Sequence, residues 1–329
     1  MTAHRDLKNI IRERQGRTGE SYTAARAHVL RERAELLGLD PQRRVEAIVL
    51  KVNRQSVRVW IPAEKIQVTL RSSDTRDVVP GHVVSLLLER QWAWRGDEYA
   101  TGRIGNPRID VGRLGLTPLP LNEDDPACNL RSAYEPFEDP DPYAPLWRKL
   151  TEDPRASYEM DPIACGQFSA DEDPDDDPVS EAAELRELGD VEGARAILMG
   201  LLLKDLRCID AHAHLGNLEF DRCPERAIVH YEVGIRIGDL SLPPGFDGVL
   251  PWGLVQNRPF LRCLHGHALC LWRLGWPDEA RVEFERILSL NPNDNQGVRF
   301  CWQDVREGRS WEEMQQAEEA GTSRPGPLR

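Results

Sequence analysis

The spacing of apolar residues changes character several times along the chain. From Arg44 to Ile104 the period is two. Val45, Ala47, Val49 and Lys51-Val52 form one alternating run, Val57, Val59 and Ile61 the next, then Ile66, Val68 and Leu70. After a Pro80-Gly81 turn come Val83, Val84 and the run Leu86 to Leu88, and a last short run covers Tyr99 to Ile104. Five such runs without a helix-length interruption predict five strands in a small barrel, since closure hides the sheet edges. Ahead of them, Leu7, Ile10 and Ile11, then Ala24, Ala25, Ala27, His28, Val29, Leu36 and Leu37, lie at helical spacing. They predict two short helices split at Thr18-Gly19-Glu20-Ser21, with Ser21 or Thr23 placed to cap the second. Helical spacing returns from about Val179 to Pro292 and continues through Val298, Cys301, Trp302 and Val305.

Between barrel and helices the periodicity vanishes. Residues 116–178 hold TPLPLNEDDP, EPFEDPDPYAP and SADEDPDDDP, dense in Pro and Asp. Such a stretch offers too little apolar surface to offset its ordering entropy and predicts a flexible acidic linker, with Pro145 to Leu150 (PLWRKL) able to dock locally. The organisation is therefore multidomain α+β. A helical pair or hairpin at 1–43 leads into a small β-barrel at 44–115 and a linker at 116–178. A helical array follows at 179–315, with a disordered tail at 316–329.

The most specific pattern is the segment Leu261 to Asp294, LRCLHGHALCLWRLGWPDEARVEFERILSLNPND. Ala268 and Ala280 are small where two antiparallel helices approach most closely. Leu264, Leu271, Phe284 and Ile287 fill the space between them, Gly275 ends the first helix and Pro292 stops the second. Along its whole 34-residue length the segment resembles a tetratricopeptide repeat (TPR), with His267 standing where that family usually has Leu. A second copy runs from Asp210 to Gly238 with Leu215 to Asn217, Ala227, Tyr231 and Ile237 in register. A weaker one, Glu181 to Asp205, has Leu185, Gly189, Ala194, Leu198 and Leu201. An insertion at 240–260, LSLPPGFDGVLPWGLVQNRPF, separates the last two copies and reads either as a lid across the array or as a long loop. The resemblance implies a concave peptide-binding groove lined by Asn217, Phe220, Arg262, His265, Leu269, Trp272 and Arg273. Arginines there suit acidic side chains or a carboxylate, although the full Lys and Asn set of the family's carboxylate clamp is absent.

The strand region resembles an oligonucleotide/oligosaccharide-binding (OB) barrel in its order of turn, Pro-Gly and strong apolar strand. Trp60, Trp92, Trp94 and Tyr99, beside Arg58, Arg90 and Arg95, are the types that stack bases and neutralise phosphates, so they mark a possible nucleic-acid contact. The string LKNIIRERQGRTGESYTAARAHVL resembles a short N-terminal element of bacterial proteins with varied downstream domains. Its arginines suit either phosphates or a solvated face paired with Glu13, Glu20, Glu32 and Glu35.

Charge sharpens this division. Residues 1–43 carry 9 Lys/Arg against 6 Asp/Glu, and residues 44–115 carry 12 against 8, whereas 116–178 carry 4 against 17. A basic front and an acidic middle fit a polyanion site at the front, or attraction between the two regions. Mean hydropathy of -0.52, and no apolar run near the roughly 20 residues that span a bilayer, predict a cytoplasmic protein without a membrane partner. Seven cysteines without a CxxC pair give poor material for a disulfide framework or zinc ribbon, and Cys208, Cys263, Cys270 and Cys301 read as small hydrophobes. His212/His214 and His265/His267 are spaced i, i+2, about 200° apart on a helix, so neither pair chelates a metal alone. The Asp173 to Asp177 tract lacks the Gly and twelfth-position Glu of a calcium loop. No phosphate-binding glycine loop, GxSxG or HExxH occurs, so neither a catalytic residue nor a cofactor is expected. The leading expectation is a non-catalytic adaptor that binds a protein or peptide segment through the helical groove. The alternative is a nucleic-acid-binding factor that uses the barrel while the repeats recruit a protein.

Overall fold

In the computed structural model the described residues are Arg14, 44–73, 75–124, 141–161 and 177–320. Apart from Arg14, which is helical, the helical pair expected at 1–43 lies outside them. The described residues fall into two compact units. One gathers residues 44–48, Asn53–Arg76 and Val84–Pro107; the other gathers Val49–Val52, Asp77–Val83 and residues 108–320.

Five strands form a closed barrel: β1 (Arg44–Asn53), β2 (Ser56–Ile61), β3 (Ile66–Arg71), β4 (His82–Trp94) and β5 (Asp97–Ile109). Their order is β1-β2-β3-β5-β4, with β2 antiparallel and β5 parallel to β3. The two-residue alternation sets the faces. Val57, Val59, Ile61, Val68, Leu70, Leu86 and Ala100 are fully buried, so their neighbours on β2, β3 and the start of β5 point outward. β4 and β5 run well past the apolar runs that announce them. They are joined by Arg95-Gly96, both at positive φ (54° and 88°), which is the two-residue turn that matches the twist of a tight hairpin.

The helical region pairs α3 (Pro178–Glu187) with α4 (Val191–Lys204), α5 (Ile209–Phe220) with α6 (Pro224–Asp239) and α7 (Arg258–Arg273) with α8 (Pro277–Leu290). The helices α9 (Val298–Arg306) and α10 (Trp311–Glu319) follow. From α3 to α9 each helix packs on the next, α10 packs on α7, and α3, α5 and α7 also pack side by side, so the pairs stack in two layers. Ala227, Ala268, Ala280, Phe284 and Leu264 are fully buried at the crossings. Gly216 on α5 and Gly266 on α7 face the Tyr231 ring of α6 so closely that a Cβ at either would collide with it.

Three stretches are more structured than the sequence predicts. First, the stretch 116–178 is not linker throughout. Asp110 caps a single turn, α1 (Val111–Leu114), and β6 (Leu121–Glu123) pairs antiparallel with β7 (Tyr158–Met160); α2 (Ala144–Leu150) lies between them in the chain. Leu119, Tyr143 and Met160 are buried in the helical core, and Tyr143 Oη donates to the Pro292 carbonyl at 2.9 Å. Apolar residues scattered among the prolines and acids supply this anchoring; residues 125–140 and 162–176 lie outside the described set.

Second, the insertion 240–260 is for most of its length a long loop, and it is tied down by other segments of the chain. Val249 bridges Ser157, Leu250 N donates to the Leu290 carbonyl at 2.7 Å, and Asn257 ties Met160 N, the Tyr158 carbonyl and the Pro251 carbonyl together. Arg155 donates to the carbonyls of Ser289 (2.6 Å) and Gly248 (2.8 Å) as well as Asp247, so three chain segments meet at one guanidinium. Third, residues 316–319, expected to belong to a disordered tail at 316–329, are helical, and residues 321–329 lie outside the described set. α10 continues to Glu319 because Ser310 and Glu313 form a reciprocal capping box, and Trp311 and Met314 are buried.

Of the cysteines, Cys263, Cys270 and Cys301 are free and buried, and burial pushes each thiol's pKa up, the behaviour of a small hydrophobe. Cys208 instead is disulfide-bonded.

Candidate functional site

The barrel carries the densest assembly of the residues singled out above. Across β2, β3 and β5, register aligns Arg58 with Thr69 and Thr69 with Tyr99, and aligns Ser56 with Arg71 and Arg71 with Thr101. Strands lie about 4.8 Å apart, so Arg58 and Tyr99 stand about 10 Å from one another on the outward face. Tyr99 is the hub. Trp92 stacks on it with ring centroids 5.8 Å apart and an interplanar angle of 15°, and Trp94 meets its edge at 6.3 Å. Trp94 is 56% exposed, an unusual position for an indole unless something covers it.

Guanidinium groups border these rings. Arg90 and Arg71 lie 5.5 and 5.8 Å from the Trp92 centroid, and Arg95 lies 4.5 Å from that of Trp94. Arg58 donates to Gln67 at 3.1 Å and pairs with Asp97 at 3.4 Å, so its charge is partly compensated. A polar cleft of about 440 Å³ continues from Arg71 along Ser72, Ser73, Glu89, Thr101 and Arg103. Trp60 is half-exposed on β2 opposite Gln67, and no ring contact joins it to the Trp92 cluster. Arg90, Trp92, Trp94 and Arg95 thus gather near Tyr99, while Arg58 stands two strands away. Sequence reasoning missed Arg71 and Arg103. Their signal was the outward phase of strands read only for apolar partners.

The helical residues present a different picture. His265 is buried, edge-on to Phe284 at 6.3 Å and 3.5 Å from Gln296; burial pushes its pKa down to about 4. It lines no open groove, because it sits between α7 and its neighbours. Trp272 is 2% exposed, donates from Nε1 to the Arg309 carbonyl at 3.0 Å and meets Trp311 edge-on at 5.4 Å. Phe220 also packs on Trp311, at 5.9 Å. Arg273 donates to the carbonyls of Phe220 and Asp221, Arg262 pairs with Asp210 at 3.0 Å, and Asn217 accepts from Tyr231 Oη at 2.7 Å. Leu269 is partly buried. Of these seven residues, His265 and Trp272 are buried, and the others are partly exposed. The chain itself engages most of them, through polar partners within the array and through α10.

Among the described residues no group of three His, Cys, Asp or Glu is placed to hold a metal ion, and no helix is long and apolar enough to cross a membrane. No protein family and no curated protein matches the chain.

Proposed function

We propose that the protein is a two-part binding factor: the barrel holds single-stranded nucleic acid and the helical array holds a protein partner. The observation that carries the first part is the Trp92–Tyr99–Trp94 cluster, half-buried at Trp92 and Tyr99 and exposed at Trp94, with Arg71 and Arg90 over the Trp92 ring and Arg95 over that of Trp94. Every base has a π-face, so an aromatic ledge binds unpaired bases whatever their sequence, while guanidinium groups neutralise the adjoining phosphates. Duplex bases are already stacked and offer no face to it. The strand order, with β3 parallel to β5, supports the OB-like reading of the barrel, whose β2–β3 face and β4–β5 loop are the customary ligand side.

The second part rests on the repeat-like spacing and on the paired, layered helices. An adaptor acting through its helices alone is the weaker reading, because Trp272, His265 and Arg273 are engaged internally while Trp94 is exposed on the barrel. No catalytic role is assigned.

Fluorescence anisotropy of a labelled 12-nucleotide single strand with the full chain tests the first part. Single strands should bind at least about tenfold tighter than a duplex of the same sequence, since each stacked base contributes about 1–3 kcal/mol. Equal affinity for duplex would indicate bare charge attraction, and no binding at low salt would reject the assignment.

A further inference from the structure

We infer that the face shared by α5 and α7 is a docking surface for an acidic helix bearing a tryptophan in its first turn, and that α10 is a built-in competitor seated on it. This rests on the proposed partner-binding role of the helical array and names the chemistry of the partner.

The seat is specific. Trp311 is 5% exposed and lies edge-on to both Phe220 of α5 and Trp272 of α7, while the Arg273 guanidinium stands 5.9 Å from its ring centroid. Two aromatic walls and a cation therefore form a socket for one indole. Arg273 bonds only carbonyl oxygens here, so its positive charge remains available to a carboxylate. Beside the socket a cleft of about 720 Å³ extends between Trp272, Asp278, Arg281, Arg306 and Arg309. Arg281 and Arg309 are paired with Glu285 and Asp304, which leaves Arg306 and Arg273 as its cations without a carboxylate partner among the described residues. The occupant matches that charge: α10 carries Glu312, Glu313, Glu318 and Glu319 and no basic residue, and Glu312 borders the cleft.

The occupant is also lightly held. Trp311 and Met314 are its only buried residues, and the helix has just nine residues. The Trp311 indole Nε1 is buried without a hydrogen-bond partner. A buried indole N–H without an acceptor costs about 1–3 kcal/mol, which weakens the hold of α10 on the socket. The 720 Å³ cleft beside it leaves room for a longer helix. Release of α10 would uncover Phe220, Trp272 and Arg273 together, the constellation that repeat spacing placed on one face.

The test uses the full chain and a fluorescein-labelled peptide of sequence Ser310 to Ala320. The double variant Trp311→Ala/Met314→Ala frees the socket without altering its walls. It should take up the peptide at least about tenfold tighter than the parent does. A peptide with Trp311→Ala, or with the four glutamates changed to lysine, should lose that gain. Equal affinity of parent and variant, including no binding by either, overturns the inference, as does full binding by the lysine peptide. Hydrogen exchange on the unaltered protein gives a second reading should the variant misfold. Amides of α10 should exchange at least about a hundredfold faster than those of α7, and exchange at a common rate overturns the inference. A partner that co-purifies with the chain, is lost on Arg262→Glu and is not displaced by the peptide would overturn the α10 assignment while leaving the two-part factor standing.

Discussion

At the scale of single residues, contrasting environments separate function from packing. Trp94 is exposed in a protein that buries Tyr143, Tyr231 and Trp272 almost completely. Replacing it removes one stacking face and little core, so Trp94→Ala should weaken single-strand binding about 5- to 100-fold in an anisotropy titration while leaving the melting temperature nearly unchanged. An unaltered affinity would place the ligand elsewhere. Gly266 shows the opposite logic. In an exposed helix interior Gly→Ala stabilises by up to about 1 kcal/mol, yet here the new methyl meets the buried Tyr231 ring. Gly266→Ala should therefore destabilise by about 1–3 kcal/mol in urea unfolding, the cost of an overpacked core. A stabilised variant would mean that Tyr231 has room to move. Sequence alone identified the ledge residues by type, and it located Leu264, Ala268, Ala280 and Phe284 in the core. It could not show Trp272 and His265 as buried, because what covers them is supplied by residues up to about 40 positions further along the chain.

At the scale of elements, what periodicity could read was the regular part. The five alternating runs correspond to five strands, and Gly275 and Pro292 flank α8 as their backbone preferences require. The segments without a period were misjudged, since β6, α2, β7 and the insertion are held by contacts from distant residues. Arg155, for instance, reaches carbonyls more than 90 positions away. The start of β4 and the helical layers also bury histidines in neutral form. Burial pushes His82, His212, His265 and His267 down to about 4 and His230 well below its ordinary value. Above pH 6.5 these groups are neutral in both folded and unfolded chains and add nothing. Between pH 6.5 and about 4 only the unfolded chain takes up the proton, so each histidine lowers stability as pH falls, on the order of 1.4 kcal/mol per pH unit. Asp294 works the other way: burial holds its carboxyl up at about 7, so its contribution is present at low pH and fades as pH rises through 4 to 7, and it offsets about one histidine. The melting temperature should therefore be lower at pH 5 than at pH 7.5. A higher value at pH 5 would mean that these histidines are not buried in the native state.

At the scale of the whole molecule, charge and chemistry divide along the chain. The acidic residues that set the formal net charge of -13 fall mainly after residue 115, while residues 44–115 hold 12 Lys/Arg against 8 Asp/Glu. A protein of net negative charge binds a polyanion only through a local cationic site, and the aromatic ledge with its arginines is such a site. The helical array adds a face that α10 already covers, which suits a partner that arrives by exchange. The most direct measurement is the salt dependence of single-strand binding by the full chain, parent against Arg71→Ala/Arg90→Ala/Arg95→Ala. Each arginine on a phosphate contributes about 0.7 to the slope of log K against log salt, so the triple variant should lose about 2 from the magnitude of the parent's slope while retaining residual stacking affinity. Identical slopes in parent and variant, or an absence of binding by the parent at low salt, would contradict a nucleic-acid site on the barrel.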